Sequence, residues 1–361
     1  MQIDMHYYGV FALARAAGLK DEPARIIATA SQFVDDNGNK GHVVFGDGGR
    51  IDFDATAHHA VHVKNIDEGD QRQIWVPFHF LPGNEGETFL ECLVCRKNSE
   101  IAREMVEHAL SHIDHSYALE LAGITAHVYA DTFSHYGFSG VSDTENRIDN
   151  KSFELGALTP SIKKHMERKA IRFREKYSIE CGAMDHILST AAEKFSCALG
   201  HGAALTYPDR PYLVWSFVYE KTDQRCETRN NPQTFFEGCE ALYGFFRKVA
   251  QARPEYAEKG FKKFGDVEKA VEQILIEQAK KSGRIKAWKT AVAEGVFFAD
   301  GPQKIPPYRG DAWLREVVAL NMDESSTEAL SLPLYRFYQA SAFHRTYVLR
   351  TLLPAHDLVV A

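Results

Sequence analysis

Three side chains of metal-ligand type recur at every fourth position in the run His127-Val-Tyr-Ala-Asp131-Thr-Phe-Ser-His135. In an α-helix, each step of four residues rises about 6 Å and turns about 40° beyond one full turn, so the three side chains share one face. Neighbours on that face can chelate one ion, and the central carboxylate of Asp131 can bridge two. The spacing therefore predicts a helix that presents a divalent-metal site.

Most of the remaining surface of this predicted helix is apolar, with Ile124, Ala126, Val128, Ala130 and Phe133. Such a helix is usually buried. Burying a carboxylate and two imidazoles without partners is costly, and metal coordination is the usual remedy. This favours a metal site over a solvated helix face. Glu120 lies seven residues before His127, on nearly the same face. It could orient a ligand histidine without binding the metal itself.

One helix cannot supply enough ligands for two or three zinc-like ions, so further ligands must come from elsewhere. Eleven of the sixteen histidines fall within the first 135 residues, an asymmetry that a metal site explains better than a solvated surface does. The candidates outside the helix are His6, Asp35, Asp36, His58, His59 and His201.

The elements that must position these residues are mainly helical. Helical periodicity is seen at 7–18, 22–34, 99–113, 116–136, 159–177, 184–199, within 234–298 and within 325–353. A short hairpin is predicted through Val43–Phe45 and Ile51–Phe53. The stretch WVPFHFLPG, bracketed by Pro77 and Pro82, is predicted not to form a regular helix. We expect a multi-helix bundle with long irregular loops.

Two segments are predicted within this bundle. Residues 1–230 would form a helical metal-binding domain, and residues 231–361 a helical extension packed on it, unless both belong to one single domain. The C-terminal third carries no motif of its own. It is expected to shape the cleft or an oligomer contact.

Composition narrows the class of protein. A chain of 361 residues that is 45% hydrophobic can bury a large core. The net charge of -7 and the lack of a basic run argue against nucleic acid as a partner. No leader peptide and no apolar stretch of about 18 residues is visible, so membrane insertion is not expected. Six cysteines without a second CxxC pair fit a reducing, cytoplasmic location.

The run GITAHVYADTFSHYGFSG resembles the zinc-dependent phospholipase C superfamily, of the phospholipase C and single-strand nuclease type. The order of candidates is also similar: an early His6, then Asp35 or Asp36, then His58 or His59, then the His127 helix, then His201. The resemblance implies an all-helical fold with a three-zinc cluster that hydrolyses phosphate esters. More closely, the chain is similar to an uncharacterised bacterial family with the motifs AHH, VPFHFLPG and HVYADTFSH.

Two departures from the phospholipase pattern concern the ligands. That family uses the amino group of a processed N-terminus, whereas no cleavable leader is visible here. Asp4 could substitute, or one ion could be absent. The family also has a Glu four residues after its late His, where this chain has Leu205. Asp209 or Glu220 could take that place.

The expected function is a metal-dependent hydrolase that activates water and acts on a small phosphorylated substrate. Zn2+ is the expected ion, with Mn2+, Fe2+ or Ni2+ as alternatives. Asp131 would bridge two ions, and Asp35 or Asp36 would contact the attacking water. The alternatives are another helical metal phosphohydrolase and a non-catalytic, metal-stabilised binding protein. The first is weakened because the His-Asp pair typical of HD phosphohydrolases occurs only at His356-Asp357.

Overall fold

The computed structural model describes residues 1–38, 40–58, 68–143, 146–149, 151–181, 199–220, 225–319 and 326–361. This part of the chain is mostly helical, as predicted. A π-helical turn at Asp4–Gly9 leads into the first α-helix. The α-helices are α1 (Val10–Ala16), α2 (Asp21–Asp36), α3 (Glu68–Phe78), α4 (Phe89–Cys92), α5 (Glu100–Ser111), α6 (Ala118–His135), α7 (Pro160–Cys181), α8 (Asn231–Ala252), α9 (Phe264–Ile276), α10 (Lys281–Ala293), α11 (Gly310–Ala319), α12 (Pro333–Tyr347) and α13 (Leu353–Ala355).

Helix α6 is the central element of the bundle and is buried along nearly its whole length. It packs against α2, α5, α8 and α12. The side chain of Ser99 caps the start of α5 by accepting a hydrogen bond from Ala102 N–H. After α6, Gly137 has a φ of 83°, the left-handed conformation that commonly terminates a helix. Both boundaries agree with the sequence prediction.

Two small antiparallel sheets accompany the helices. The predicted hairpin is confirmed as β1 (Gly41–Val44) paired with β2 (Arg50–Phe53). The second sheet has the order β3 (Glu154–Leu155), β4 (Val214–Ser216) and β5 (Arg229–Asn230). It was not predicted, because strands of two or three residues leave no detectable alternation in a sequence.

The prediction that WVPFHFLPG contains no helix is wrong for its first half, because α3 continues through Pro77 to Phe78. A proline lacks the N–H that would bond to the carbonyl four residues earlier, here that of Gln73. The Arg345 Nε–H fills this vacancy by donating to the Gln73 carbonyl oxygen at 3.0 Å. A residue from α12, nearly 270 positions away in sequence, thus makes the proline tolerable.

The main hydrophobic core draws on both ends of the chain. It includes residues of α1, α2, α5 and α6 together with residues of α8, α9 and α12. A second, smaller core lies around Phe80, Phe138, Trp215 and Phe217, next to the three-stranded sheet. Among the described residues, no helix is long and apolar enough to span a bilayer. The helix predicted at 184–199 lies almost entirely outside the described residues.

Candidate metal centre

The three side chains predicted to share one face of α6 are buried around a single carboxylate. Asp131 is 1% exposed, and His127 and His135 are also buried. One carboxylate oxygen of Asp131, Oδ2, lies 3.2 Å from His127 Nε2. The other, Oδ1, lies 3.2 Å from Nε2 of His6, which comes from the π-helical turn. The two oxygens therefore face different donors.

Both histidines of α6 are held by a backbone carbonyl at the ring nitrogen Nδ1. His127 Nδ1 contacts the Ser31 carbonyl oxygen in α2 at 2.7 Å. His135 Nδ1 contacts the His79 carbonyl oxygen at 2.8 Å. A carbonyl can only accept a hydrogen bond, so Nδ1 carries the proton in each ring. The lone pair of each Nε2 is consequently free for a ligand.

His79 adds a third histidine fixed in the same way, and it lies just after α3. Its Nε2 donates to the Thr56 carbonyl oxygen at 2.9 Å. Its Nδ1 faces inward, 3.3 Å from His127 Nε2 and 3.5 Å from Asp131 Oδ2. Asp35, at the end of α2, lies 3.9 Å from the same Nδ1 atom.

His201 is the fourth histidine fixed by a carbonyl. Its Nδ1 donates to the Leu205 carbonyl oxygen at 2.8 Å, and its Nε2 lies 3.6 Å from Asp209 Oδ1. Gly200 brings this loop close to the site: it has a φ of 54°, and an added Cβ would approach the Phe80 ring to 2.3 Å. Only glycine can be accommodated there.

These residues form three groups, in each of which one ligand atom per residue lies within 4.8 Å of the others. We name them the His6 group (His6, His127 and Asp131), the Asp35 group (Asp35, His79 and His127) and the His135 group (His135, His201 and Asp209). His127 belongs to two groups but offers only one free ring nitrogen. The donor set therefore suits two or three ions.

Several buried polar atoms of the cluster have no hydrogen-bond partner, as expected if they bind cations. Both ring nitrogens of His6 and the Oδ2 atom of Asp131 are buried without a hydrogen-bond partner. Leaving such groups unsatisfied typically costs about 1–3 kcal/mol each. The His6 ring stacks on the His127 ring at a centroid distance of 3.8 Å. A divalent ion between imidazole nitrogens and carboxylate oxygens would satisfy these atoms, and His and Asp are ordinary zinc ligands.

The protonation states of the residues in the cluster are those that bind a metal ion. Burial lowers the pKa of His135 to about 4 and holds that of His6 well below its usual range. Burial alone would raise the pKa of Asp131, but His135, the Met1 amino group and His127 together keep it well below the ordinary value. At neutral pH the two histidines are therefore neutral and the carboxylate is ionised, the forms that coordinate a metal.

The amino group of Met1 lies inside the cluster. It contacts Asp131 Oδ1 and lies 3.3 Å from His135 Nε2 and 3.4 Å from Asp209 Oδ1. Burial disfavours its charge, but Asp131, Asp209 and Asp35 outweigh this effect and raise its pKa to about 10. This ammonium group is therefore a cation placed to offset the charge of the buried carboxylates Asp131 and Asp209.

The alternative that Asp4 takes the place of the terminal amine is not supported. Asp4 accepts hydrogen bonds from Arg284 at 2.7 and 3.0 Å and lies in none of the three groups. The predicted orienting role of Glu120 is also wrong, because Ser31 holds His127 instead. Burial raises the pKa of Glu120 to about 7, and the nearby charge is that of Arg336.

Of the predicted ligands, the structure brings together His6, Asp35, His127, Asp131, His135 and His201. Asp36 lies outside the groups and accepts a hydrogen bond from the Tyr308 hydroxyl at 2.7 Å. His58 also lies outside and pairs with Asp70. His59 is not among the described residues. Asp209, one of the two proposed replacements for the missing Glu, belongs to the His135 group, whereas Glu220 is exposed.

His79 is the ligand candidate that sequence reasoning missed. The two prolines of its segment, Pro77 and Pro82, predict an irregular connection there. The signal in the sequence is weak: a single histidine stands in the otherwise apolar run VPFHFLPG. Burying an imidazole there without a partner costs free energy, which indicates that it has one.

The site opens to a cleft of about 580 Å3, whose lining includes Met1, Asp35 and Asp36. The side chain of Asp35 is 32% exposed, the most accessible of the grouped carboxylates. Burial raises its pKa.

Comparison with curated proteins and comparison with solved structures each found no match. A family profile, by contrast, matches nearly the whole chain, from residue 1 to residue 352. The chain therefore belongs to DUF6765, described as a family of unknown function.

Proposed function

We propose that this protein is a metal-dependent hydrolase of phosphate esters, with two or three zinc-like ions held around Asp131. The observation that carries this proposal is the common geometry of four imidazoles. His79, His127, His135 and His201 each contact a backbone carbonyl through one nitrogen and face a carboxylate with the other. Metal-ligating histidines are held in this manner, which fixes the tautomer and the direction of the lone pair.

Asp131 is suited to bridge two ions because its oxygens face opposite sides. Oδ1 faces His6, and Oδ2 faces His127 and His79. A carboxylate placed in this way would hold one cation at each oxygen. When bound, such ions supply an activated water and neutralise the charge that develops on phosphoryl oxygens.

A catalytic site needs access for substrate, whereas a structural ion is fully enclosed by protein ligands. Here the cleft reaches Asp35, which is partly exposed, while the α6 ligands are buried. This favours a hydrolase over a purely structural cluster. Asp35 would accept a hydrogen bond from the attacking water and orient it toward the phosphorus atom.

Metal content tests the cluster directly. Purified wild-type protein should contain at least two equivalents of zinc or a similar ion, as measured by plasma mass spectrometry. Asp131→Asn should lose more than one equivalent, because a shared ligand is removed. Asp36→Asn is the matched control and should keep the wild-type content. Fewer than one equivalent in the wild type would refute the cluster, and an unchanged content in Asp131→Asn would refute the bridge.

Activity tests the reaction. Hydrolysis of 4-nitrophenyl phosphate or bis(4-nitrophenyl) phosphate should appear with Zn2+, Mn2+, Fe2+ or Ni2+ and disappear with chelator. Asp131→Asn should lower turnover at least about 100-fold, because the stabilisation of several kcal/mol that a metal supplies depends on it. Bound metal without hydrolysis across both substrates and all four ions would instead favour a metal-stabilised binding protein.

A further inference from the structure

The cleft beside the metal centre is lined by side chains of two kinds. Asp35 belongs to a ligand group and Met1 contacts Asp131, and both line the cleft. Its lining also includes five basic side chains, which we call the basic part of the cleft: His165, Lys169, Arg210, Lys280 and Lys281. The whole chain has a net charge of -7, so this local concentration of positive charge is not a consequence of composition.

Arg210 is the most informative of these residues because its charge is buried. It is 4% exposed. Its guanidinium donates to the Tyr212 hydroxyl at 3.1 Å and to the Thr206 hydroxyl at 3.0 Å, while Nε has no partner. Within the described ranges, no carboxylate lies at ion-pair distance from it; the adjacent Asp209 faces His135 and His201 instead. A buried guanidinium without a counter-anion is costly, which indicates a missing anionic ligand.

The lysines in the basic part of the cleft likewise lack a carboxylate partner among the described residues. Lys169 of α7 and Lys280, which precedes α10, are exposed and make no ion pair with any of the described residues. Arg168 and Arg172 of α7 line an adjoining depression together with Lys169 and Lys280. Lys169 and Lys280 thus line both this depression and the cleft that contains Arg210, and a phosphate in the cleft could receive several charge-assisted hydrogen bonds.

Arg284 also lines the cleft, but Asp4 neutralises its charge through two hydrogen bonds. Arg210, Lys169 and Lys280 have no such carboxylate partner among the described residues and belong to none of the three ligand groups. The reacting phosphate would be neutralised by the ions, which leaves the basic part of the cleft for a different anionic group.

We infer that the basic part of the cleft is a subsite for a second phosphate, and that the substrate is a small molecule carrying two phosphate groups. This inference rests on the proposed hydrolase function for the first phosphate. Arg210 would bind the second phosphate through its fork of N–H donors, and Lys169 and Lys280 would add charge from the rim.

Binding preference tests the subsite with the protein as purified. The probes are fructose 1,6-bisphosphate and fructose 6-phosphate, measured by calorimetry or by inhibition of dye hydrolysis. Wild type should bind the bisphosphate at least about tenfold more tightly, as expected when one further phosphate makes charge-assisted contacts. In Lys169→Gln/Lys280→Gln this preference should fall to about twofold, while the affinity for the monophosphate changes little.

The matched control is Lys163→Gln/Lys164→Gln, which removes the same charge from exposed positions of α7 that do not line the cleft. It should keep the preference. Arg210→Met should lose the preference without a lower Tm, because the substitution removes an unpaired buried charge. Equal affinity for the two sugars in wild type, or an unchanged preference in the double variant, would overturn the subsite.

The two proposals fail separately. A preference for the bisphosphate that depends on Lys169 and Lys280, without hydrolysis under any metal, would retain the subsite and refute the hydrolase. Metal-dependent hydrolysis with no such preference would retain the hydrolase and refute the subsite.

Discussion

At the scale of single residues, the direction of four of the candidate ligand histidines is set by a carbonyl oxygen that is not itself a ligand. The carbonyls of Ser31, Thr56, His79 and Leu205 each occupy one nitrogen of a histidine and thereby orient the other. His79 has both roles, because its ring faces Asp131 while its carbonyl holds His135. Its substitution should therefore affect more than one ligand group.

A pair of histidine variants tests this assignment. His79→Gln should release at least one ion per chain, because the Asp35 group loses one of its two nitrogen donors. His58→Gln should release none, because His58 pairs with Asp70 away from the groups. Metal content and circular dichroism of both variants provide the measurement. Equal metal loss in the two variants, or loss only in His58→Gln, would contradict the assignment.

At the scale of elements, the contact between α2 and α6 determines whether the ligands meet. Gly123 of α6 faces α2, where an added Cβ would lie 2.4 Å from the Ile27 carbonyl oxygen and 2.6 Å from Ala30 Cβ. One turn further along α6, His127 donates a hydrogen bond to the Ser31 carbonyl oxygen, and Ser31 is also in α2. The close approach allowed by Gly123 thus supports the bond that orients His127.

Two glycine substitutions separate packing from helix propensity. Gly123→Ala should lower the free energy of unfolding by about 1–3 kcal/mol, because it overpacks the contact with α2, and should weaken metal binding. Gly244→Ala in α8 has no atom within 4 Å of the added Cβ, so it should raise the free energy of unfolding by about 0.5–1 kcal/mol. Urea unfolding and metal titration of both variants check these expectations. A neutral Gly123→Ala would show that the two helices are free to separate.

At the scale of the whole molecule, the C-terminal helices complete the core around α6. Helix α12 contacts α6 and α3, and two of its residues engage α3 directly. Arg345 bonds to the Gln73 carbonyl, and His344 Nε2 donates to the Pro77 carbonyl oxygen at 2.8 Å. The C-terminal third therefore supports the helix that precedes His79.

His344 predicts how stability depends on pH. Burial lowers the pKa of His344 from 6.5 to about 4, so the folded protein leaves it neutral where the unfolded chain protonates it. Stability is therefore retained above pH 6.5 and falls as the pH drops toward 4, by up to about 3 kcal/mol from this residue.

The comparison of wild type with His344→Gln isolates this contribution. Urea unfolding at pH 7.5 and pH 4.5 should show a smaller difference between the two pH values in the variant. An equal pH dependence in both proteins would mean that His344 is protonated in the folded state. The variant should be less stable than wild type at pH 7.5, because the Pro77 carbonyl oxygen loses the well-placed hydrogen bond from His344 Nε2.

The residues of the candidate site divide into those that periodicity reveals and those that it does not. His127, Asp131 and His135 were predictable because all three belong to one helix, where spacing alone determines the shared face. The hairpin and the start of α5 next to Ser99 were predictable because their sequence signals lie within a few residues of one another. The sequence by itself therefore determined the ligand helix, its burial and the mostly helical class.

Only the tertiary structure decided which distant residues join that face. Asp35 and Asp36 are adjacent, yet a helical step of about 100° directs one toward His79 and the other toward Tyr308. His79 joins the groups and His58 does not, because the His79 ring lies beside Asp131 whereas His58 pairs with Asp70. Such choices depend on contacts between residues distant in the sequence, which local propensity does not encode.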